Sequence, residues 1–92
     1  MDIKIKIQEI IKDKKISKIS NGGNIFNFMI SKYRKNENVE KFVLDAENIQ
    51  NITTSVFREI IRQMQTRLNG HFKLELINAN QIIAQQFKLA LK

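Results

Sequence analysis

The stretch from Lys41 to Leu76 most constrains the fold of this chain, because its hydrophobic period changes twice. Phe42-Val43-Leu44 is a continuous apolar run, typical of a central strand covered on both faces. From Thr54 to Leu68 the period is helical, and Phe72-Lys73-Leu74-Glu75-Leu76 alternates as a strand does. A strand, a polar turn, a helix and a strand in this order predict a right-handed parallel βαβ unit.

The N-terminal half adds one strand and one helix to this unit. Ile3-Lys4-Ile5-Lys6-Ile7 alternates as a half-buried strand, and Ile16-Ser17-Lys18-Ile19 fits either a second short strand or an extended connector. Asn21-Gly22-Gly23-Asn24 is the strongest breaker in the chain, and we expect it to open the first long helix. That helix should end at Asn36-Glu37-Asn38.

After the βαβ unit, Asn69-Gly70 predicts a helix stop, and Asn78-Ala79-Asn80 offers caps for a last helix. The sequence therefore predicts an α/β fold in one domain spanning residues 1–92. We expect a mixed sheet of about four strands, with three helices mostly against one face.

Composition excludes several classes of function. The 92 residues contain no cysteine, so disulfides, thiolate nucleophiles and cysteine metal sites are excluded. No apolar run approaches the ~20 residues of a membrane span, and no secretory h-region is present. A cytoplasmic protein without a membrane association, a metal or a cofactor is the expectation.

The formal charge of +7 is concentrated near the N-terminus, since residues 1–35 carry nine Lys or Arg and three acids. A basic face of this kind binds either nucleic acid or an acidic partner, or it is only a solvated surface. Solvation is favoured, because the lysines lack the interleaved aromatic residues of a single-strand binding surface. The candidate nucleic-acid-binding residues are Lys12, Lys14, Lys15, Lys18, Arg34 and Lys35.

Polar residues that could carry chemistry gather at the turn before the second long helix. Thr53-Thr54-Ser55 is explained by capping, since hydroxyl groups at a helix start accept bonds from free backbone N–H groups. Arg58 and Arg62, one turn apart, are either a solvated face or a docking patch beside Ser55. Asp45 and Glu47 are interpreted as polar turn residues and His71 as a strand-edge residue, so no catalytic constellation is visible.

These segments together resemble a known superfamily. Phe42-Val43-Leu44-Asp45, Ile49, Ile52-Thr53-Thr54-Ser55 with its amphipathic helix, and Leu74-Glu75-Leu76-Ile77-Asn78 resemble the STAS superfamily, which includes the anti-sigma factor antagonists. Gly22-Gly23 and the hydroxyl run are similar to a branch of small bacterial STAS-like proteins of unknown function. The resemblance covers roughly residues 20–90.

The resemblance implies a non-enzymatic protein–protein interaction and regulatory module. It implies a partner kinase with a histidine-kinase-like ATP-binding fold and a phospho-acceptor at Ser55. On this hypothesis the partner-binding residues are Thr53, Thr54 and Ser55 of the turn, together with Arg58 and Arg62 on the exposed face of the helix. A phosphate at a helix N-terminus is also favoured by the helix dipole. The alternative function is a small basic protein that binds nucleic acid or a nucleoprotein complex, such as a phage-encoded inhibitor of a nucleic-acid-handling machine.

Overall fold

The computed structural model describes residues 1–35, 38–69 and 72–92, and in these ranges it is an α/β protein. In chain order the elements are β1 (Asp2–Lys6), α1 (Ile7–Ile10), β2 (Lys15–Ile16), α2 (Ile19–Lys35), β3 (Lys41–Asp45), β4 (Asn51–Ile52), α3 (Thr54–Arg67), β5 (Lys73–Ile77) and α4 (Gln81–Ala90). The predicted α/β class is confirmed. The predicted helix ends at Asn36-Glu37 and Gly70, and the position of His71, lie outside the described residues.

The strands form two small parallel sheets. β3 lies between β1 and β5 in a three-stranded sheet, and β2 pairs with β4 in a two-stranded sheet. The two sheets are separate because α1 interrupts the chain between β1 and β2. A turn at Asn48, with a φ of 67°, interrupts it between β3 and β4. The predicted parallel crossovers are confirmed. The expected single mixed sheet of about four strands with three helices is not confirmed, since the described residues form two parallel sheets and four helices.

The core lies on one face of the three-stranded sheet. The register aligns Ile3, Phe42 and Leu74 in one row, and the next row on that face also consists of aliphatic residues. These rows belong to the same apolar cluster as the buried residues of α2, α3 and α4. Val43 is also buried but does not belong to that cluster, and its register neighbours are Lys4 and Glu75. The apolar strand β3 therefore contacts the helical core through one of its two faces.

The glycine pair does not open the first long helix, as the sequence predicts, but lies inside it. α2 begins at Ile19, and Gly22 is buried where α2 packs against α3. A Cβ atom at Gly22 would lie 2.7 Å from the carbonyl oxygen of Val56 and 3.0 Å from Cβ of Glu59. Gly22 thus permits a close approach of two helices, and this packing outweighs the cost of about 1 kcal/mol that glycine carries in a helix.

We predict opposite effects from adding a methyl group at the two glycines. Gly22→Ala should lower the free energy of unfolding by about 1–3 kcal/mol, because the methyl group meets the backbone of α3. Gly23→Ala is the matched control, since no described atom lies within 4 Å of its Cβ position, apart from its chain neighbours and the nearby backbone of its own helix. It should leave stability unchanged or raise it by about 0.5–1 kcal/mol. Urea unfolding followed by circular dichroism measures both, and equal stability of the two variants would contradict the proposed packing role.

Candidate functional site

Thr53 connects the short sheet to the start of α3. Its N–H donates to the carbonyl of Ile16 at 3.0 Å, and its own carbonyl accepts from the N–H groups of Val56 at 3.1 Å and Phe57 at 3.3 Å. Thr53 is the N-cap residue, in an extended conformation, but its side chain makes no capping bond. Its Oγ1 is buried and makes no hydrogen bond to any of the described residues. The backbone of Thr53, rather than its hydroxyl group, therefore fixes the beginning of the helix.

Thr54 connects α3 to α4. Its backbone N–H donates to Oε1 of Gln86 at 2.9 Å, and its hydroxyl group donates to the same oxygen. Phe57 and Phe87 stack edge-to-face one turn further along, with ring centroids 5.1 Å apart. Gln86 caps the free N–H that a side chain of the hydroxyl run was expected to satisfy. Nothing in the sequence marks Gln86, which is an ordinary polar residue of an amphipathic helix.

Ser55 has no comparable structural task. Its side chain is exposed at the second position of α3, and it makes no hydrogen bond within the described part of the chain. It lines a shallow depression of about 240 Å³ together with Ile19, Arg58, Glu59 and Arg62. The structure thus brings Ser55 and both candidate arginines to one surface, which we call the α3 depression.

The two arginines of the α3 depression differ in their contacts. Arg62 binds Glu59 through two parallel bonds of 2.8 Å, and Glu59 also accepts from Gln63 at 3.1 Å. The hydrogen bond between Arg62 and Glu59 lowers the pKa of the carboxyl group and raises the pKa of the guanidinium. Arg58 is exposed and, among the described residues, makes no ion pair. Its charge is therefore free to meet an anionic group.

Ile19 is the component of this surface that sequence reasoning missed. Its side chain is 58 % exposed although it is a large aliphatic residue at the first position of α2. The sequence predicted that Ile19 ends a short strand or an extended connector, because the glycines after it suggested that the helix starts later. Its exposure beside Arg58 is visible only once the crossing of α2 and α3 is known.

The candidate nucleic-acid residues do not form one surface. Lys12, Lys14, Lys15 and Lys18 are exposed on the segment that leads into α2, where Lys14 donates to Oε1 of Gln8 at 2.8 Å. Arg34 lies at the other end of the 17-residue α2. A helix of this length separates its ends by about 25 Å. The side chain of Lys35 lies outside the described residues.

Asp45, interpreted from sequence as a turn residue, is a buried carboxylate at the carboxyl end of β3. Its Oδ1 accepts from the Asn78 side chain and the Glu47 N–H, each at 3.0 Å, and its Oδ2 lies 3.5 Å from Nζ of Lys4. Burial raises the pKa of Asp45, but the bonds from Asn78 and Glu47 and the charge of Lys4 outweigh it, so the net shift is downward. This cluster joins β1, β3 and the turn after β5.

None of the helices in ranges 1–35, 38–69 and 72–92 has the length and apolar character that crossing a membrane requires. The same ranges contain no group of three or more histidine, aspartate or glutamate side chains arranged to hold a metal ion.

Comparisons with protein-family models, with curated protein sequences and with solved structures gave no match to this chain.

The Asp45 cluster predicts a specific pH dependence of stability. Because the pKa of Asp45 is lowered in the folded state, its contribution is present above the unfolded pKa, about 3.9, and is lost as pH falls below it. Asp45→Asn should cost about 1–3 kcal/mol at pH 7 and should cost progressively less as pH falls below about 4. Urea unfolding at a series of pH values measures this difference.

Glu47→Gln is the matched control, since it neutralises an exposed carboxylate two residues further along the chain. A cost of Asp45→Asn that stays constant from neutral to acid pH would contradict the assigned ion pair and hydrogen bonds.

Proposed function

We propose that this chain is a non-enzymatic, STAS-like protein–protein interaction and regulatory module that binds its partner through the α3 depression. The observation that carries the proposal is the position of Ser55, whose exposed side chain makes no hydrogen bond to the described residues and lies in the same depression as Arg58. The partner class that the resemblance implies is a histidine-kinase-like ATP-binding regulator or another signalling protein.

The residues around Ser55 have the character of a small docking surface. Ile19 supplies an exposed aliphatic side chain, and Arg58 supplies a cation without an ion pair among the described residues. Protein interfaces combine a buried apolar or arginine anchor with a polar rim. Arg62 is held by Glu59, so it presents a fixed rather than a mobile group at the edge of the depression.

A phosphate on Ser55 fits this arrangement. Phosphorylation adds about −1.5 to −2 charges and three acceptor oxygens, which the N-terminus of a helix and a nearby arginine both favour. Arg58 lies three residues after Ser55, on the same helix and in the same depression. The modification would therefore reverse the local charge of the docking surface without opening the fold, and this charge change is the proposed switch.

Substitutions in the α3 depression should abolish partner binding while the fold remains intact. Ile19→Asp and Arg58→Glu should each lose a partner that the wild type retains from a lysate of its native host, because each changes an exposed docking residue. Lys88→Glu, an equal charge reversal at an exposed position of α4, is the control. Thermal unfolding verifies that all three variants fold. Loss of the same partner with Lys88→Glu, or its retention with both depression variants, would contradict the proposal.

The phosphorylation switch is tested separately. Incubation with ATP and the partner kinase should add one phosphate mass to Ser55, and Ser55→Ala should remove it. Ser55→Asp should change the affinity for the partner by about tenfold, equivalent to about 1.4 kcal/mol. Partner affinities of Ser55→Ala and Ser55→Asp that both equal the wild-type value would show that Ser55 is not a switch.

The alternative function, binding of nucleic acid or a nucleoprotein, depends on the four exposed lysines between Lys12 and Lys18. Phosphate-driven binding weakens steeply with salt, so fluorescence anisotropy with DNA and RNA at low and physiological salt discriminates the two functions. If our proposal is correct, the wild type shows no nucleic-acid binding that depends on these lysines, so the double variant Lys12→Glu/Lys15→Glu behaves as the wild type does. Salt-sensitive binding that this double variant removes, and that Arg58→Glu leaves unchanged, would favour the alternative.

A further inference from the structure

The outer edge of β5 is unpaired. β5 pairs with β3 on one side, and none of the strands in the described ranges lies on its other side. The carbonyl of Ile77 accepts a bond of 3.0 Å from the N–H of Ala46, so the peptide groups of Ile77 point towards β3. Alternate residues of a strand direct these groups to opposite sides, so those of Leu74 and Leu76 point outwards. Such a row of free N–H and C=O groups is a template for another strand.

We propose that two copies of this chain associate through this edge, with β5 of one copy antiparallel to β5 of the other. The two-fold axis passes through Leu74, which faces its own counterpart. Lys73 then faces Glu75 of the second copy, and Phe72 faces Leu76 of the second copy. The two three-stranded sheets become one continuous sheet.

Charge selects this register. Lys73 and Glu75 are exposed, and both lie on the face of the sheet opposite to the helical core. With the axis at Leu74, each lysine faces a glutamate, and opposite charges directly across a pair of strands attract. An axis at Glu75 would place two glutamates opposite each other, which is unfavourable. The strand is therefore complementary to itself in one register.

The backbone agrees with the same register. The outward peptide groups of Leu74 meet those of Leu74 in the second copy, and those of Leu76 meet those of Phe72. These are hydrogen-bonded pairs, so Lys73 and Glu75 fall at the non-hydrogen-bonded positions. Side chains at such positions are closer, with Cα atoms about 4.5 Å apart, which suits an ion pair.

The apolar side of the edge packs against the core but is only partly covered. Phe72, Leu74 and Leu76 are only half-buried, and Phe72 and Leu74 line a cavity of about 170 Å³ with Leu91 at the end of α4. β1, the other edge of the sheet, carries Lys4 and Lys6 and turns directly into α1, features that discourage pairing. The open apolar edge of the sheet is therefore β5.

A charge-swap series tests the proposal by sedimentation equilibrium. The wild type should form a concentration-dependent dimer, and Lys73→Glu and Glu75→Lys should each weaken it at least about tenfold, because each creates two like-charged pairs. The double variant Lys73→Glu/Glu75→Lys restores every opposite-charge pair and should recover the dimer to within about threefold of wild type. In each copy, Lys41 forms an ion pair with Glu75 and lies opposite Lys73 in the register of β3 with β5. A glutamate at position 73 would therefore give Lys41 an acidic neighbour in both Lys73→Glu and the double variant.

Hydrogen exchange gives a second readout, which distinguishes loss of the dimer from loss of the fold. The amides of Leu74 and Leu76 should be protected in the dimer and should exchange rapidly in folded, monomeric Lys73→Glu. A wild type that remains monomeric at about 1 mM overturns the proposal. So does a dimer that the single reversals leave unchanged, or one that the double variant fails to restore.

Discussion

The close contact of α2 with α3 at Gly22 is the constraint on which the rest of the structure depends. With no side chain at this position, α2 approaches the backbone of Val56 and the side chain of Glu59. The same approach brings Ile19, three residues before Gly22, into the depression formed by Ser55 and Arg58. A residue that looks like a helix breaker in sequence thus creates both the packing of the two longest helices and the surface that we propose as the docking site.

The three hydroxyl residues at the start of α3 have different structural roles. The backbone of Thr53 joins β2 to the helix, and Thr54 binds Gln86 of α4. These two residues connect the helix start to β2 and to α4, and Ser55 is left exposed. In the docking surface that we propose, the exposed Ser55 hydroxyl group would therefore lie on a fixed helix start, where added charge would alter recognition without altering the fold. The β5 edge is a separate surface, and its proposed self-association does not depend on this site.

Sequence periodicity predicted the elements that local patterns determine. The apolar run at Phe42–Leu44, the helical stripe of α3 and the alternation of β5 gave their types and their parallel order. The extent of the sheets was not predictable, since α1 is a single turn and Asn48 bends the chain through a left-handed conformation. The predicted start of α2 was wrong because tertiary packing at Gly22 outweighed the low helix propensity of glycine. At the site, the sequence singled out Ser55, Arg58 and Arg62, whereas Ile19 and Gln86 gave no local signal because their roles arise from contacts between helices.

The most direct measurement is a hydrogen-exchange footprint of the folded chain in complex with the protein partner that we propose. The account predicts that protection on binding is concentrated in the first turns of α2 and α3, around Ile19, Ser55 and Arg58. The segment from Lys12 to Lys15 should exchange as it does in the free protein. Protection confined to Lys12–Lys15, with the first turn of α3 unchanged, would contradict the α3 depression as the docking surface.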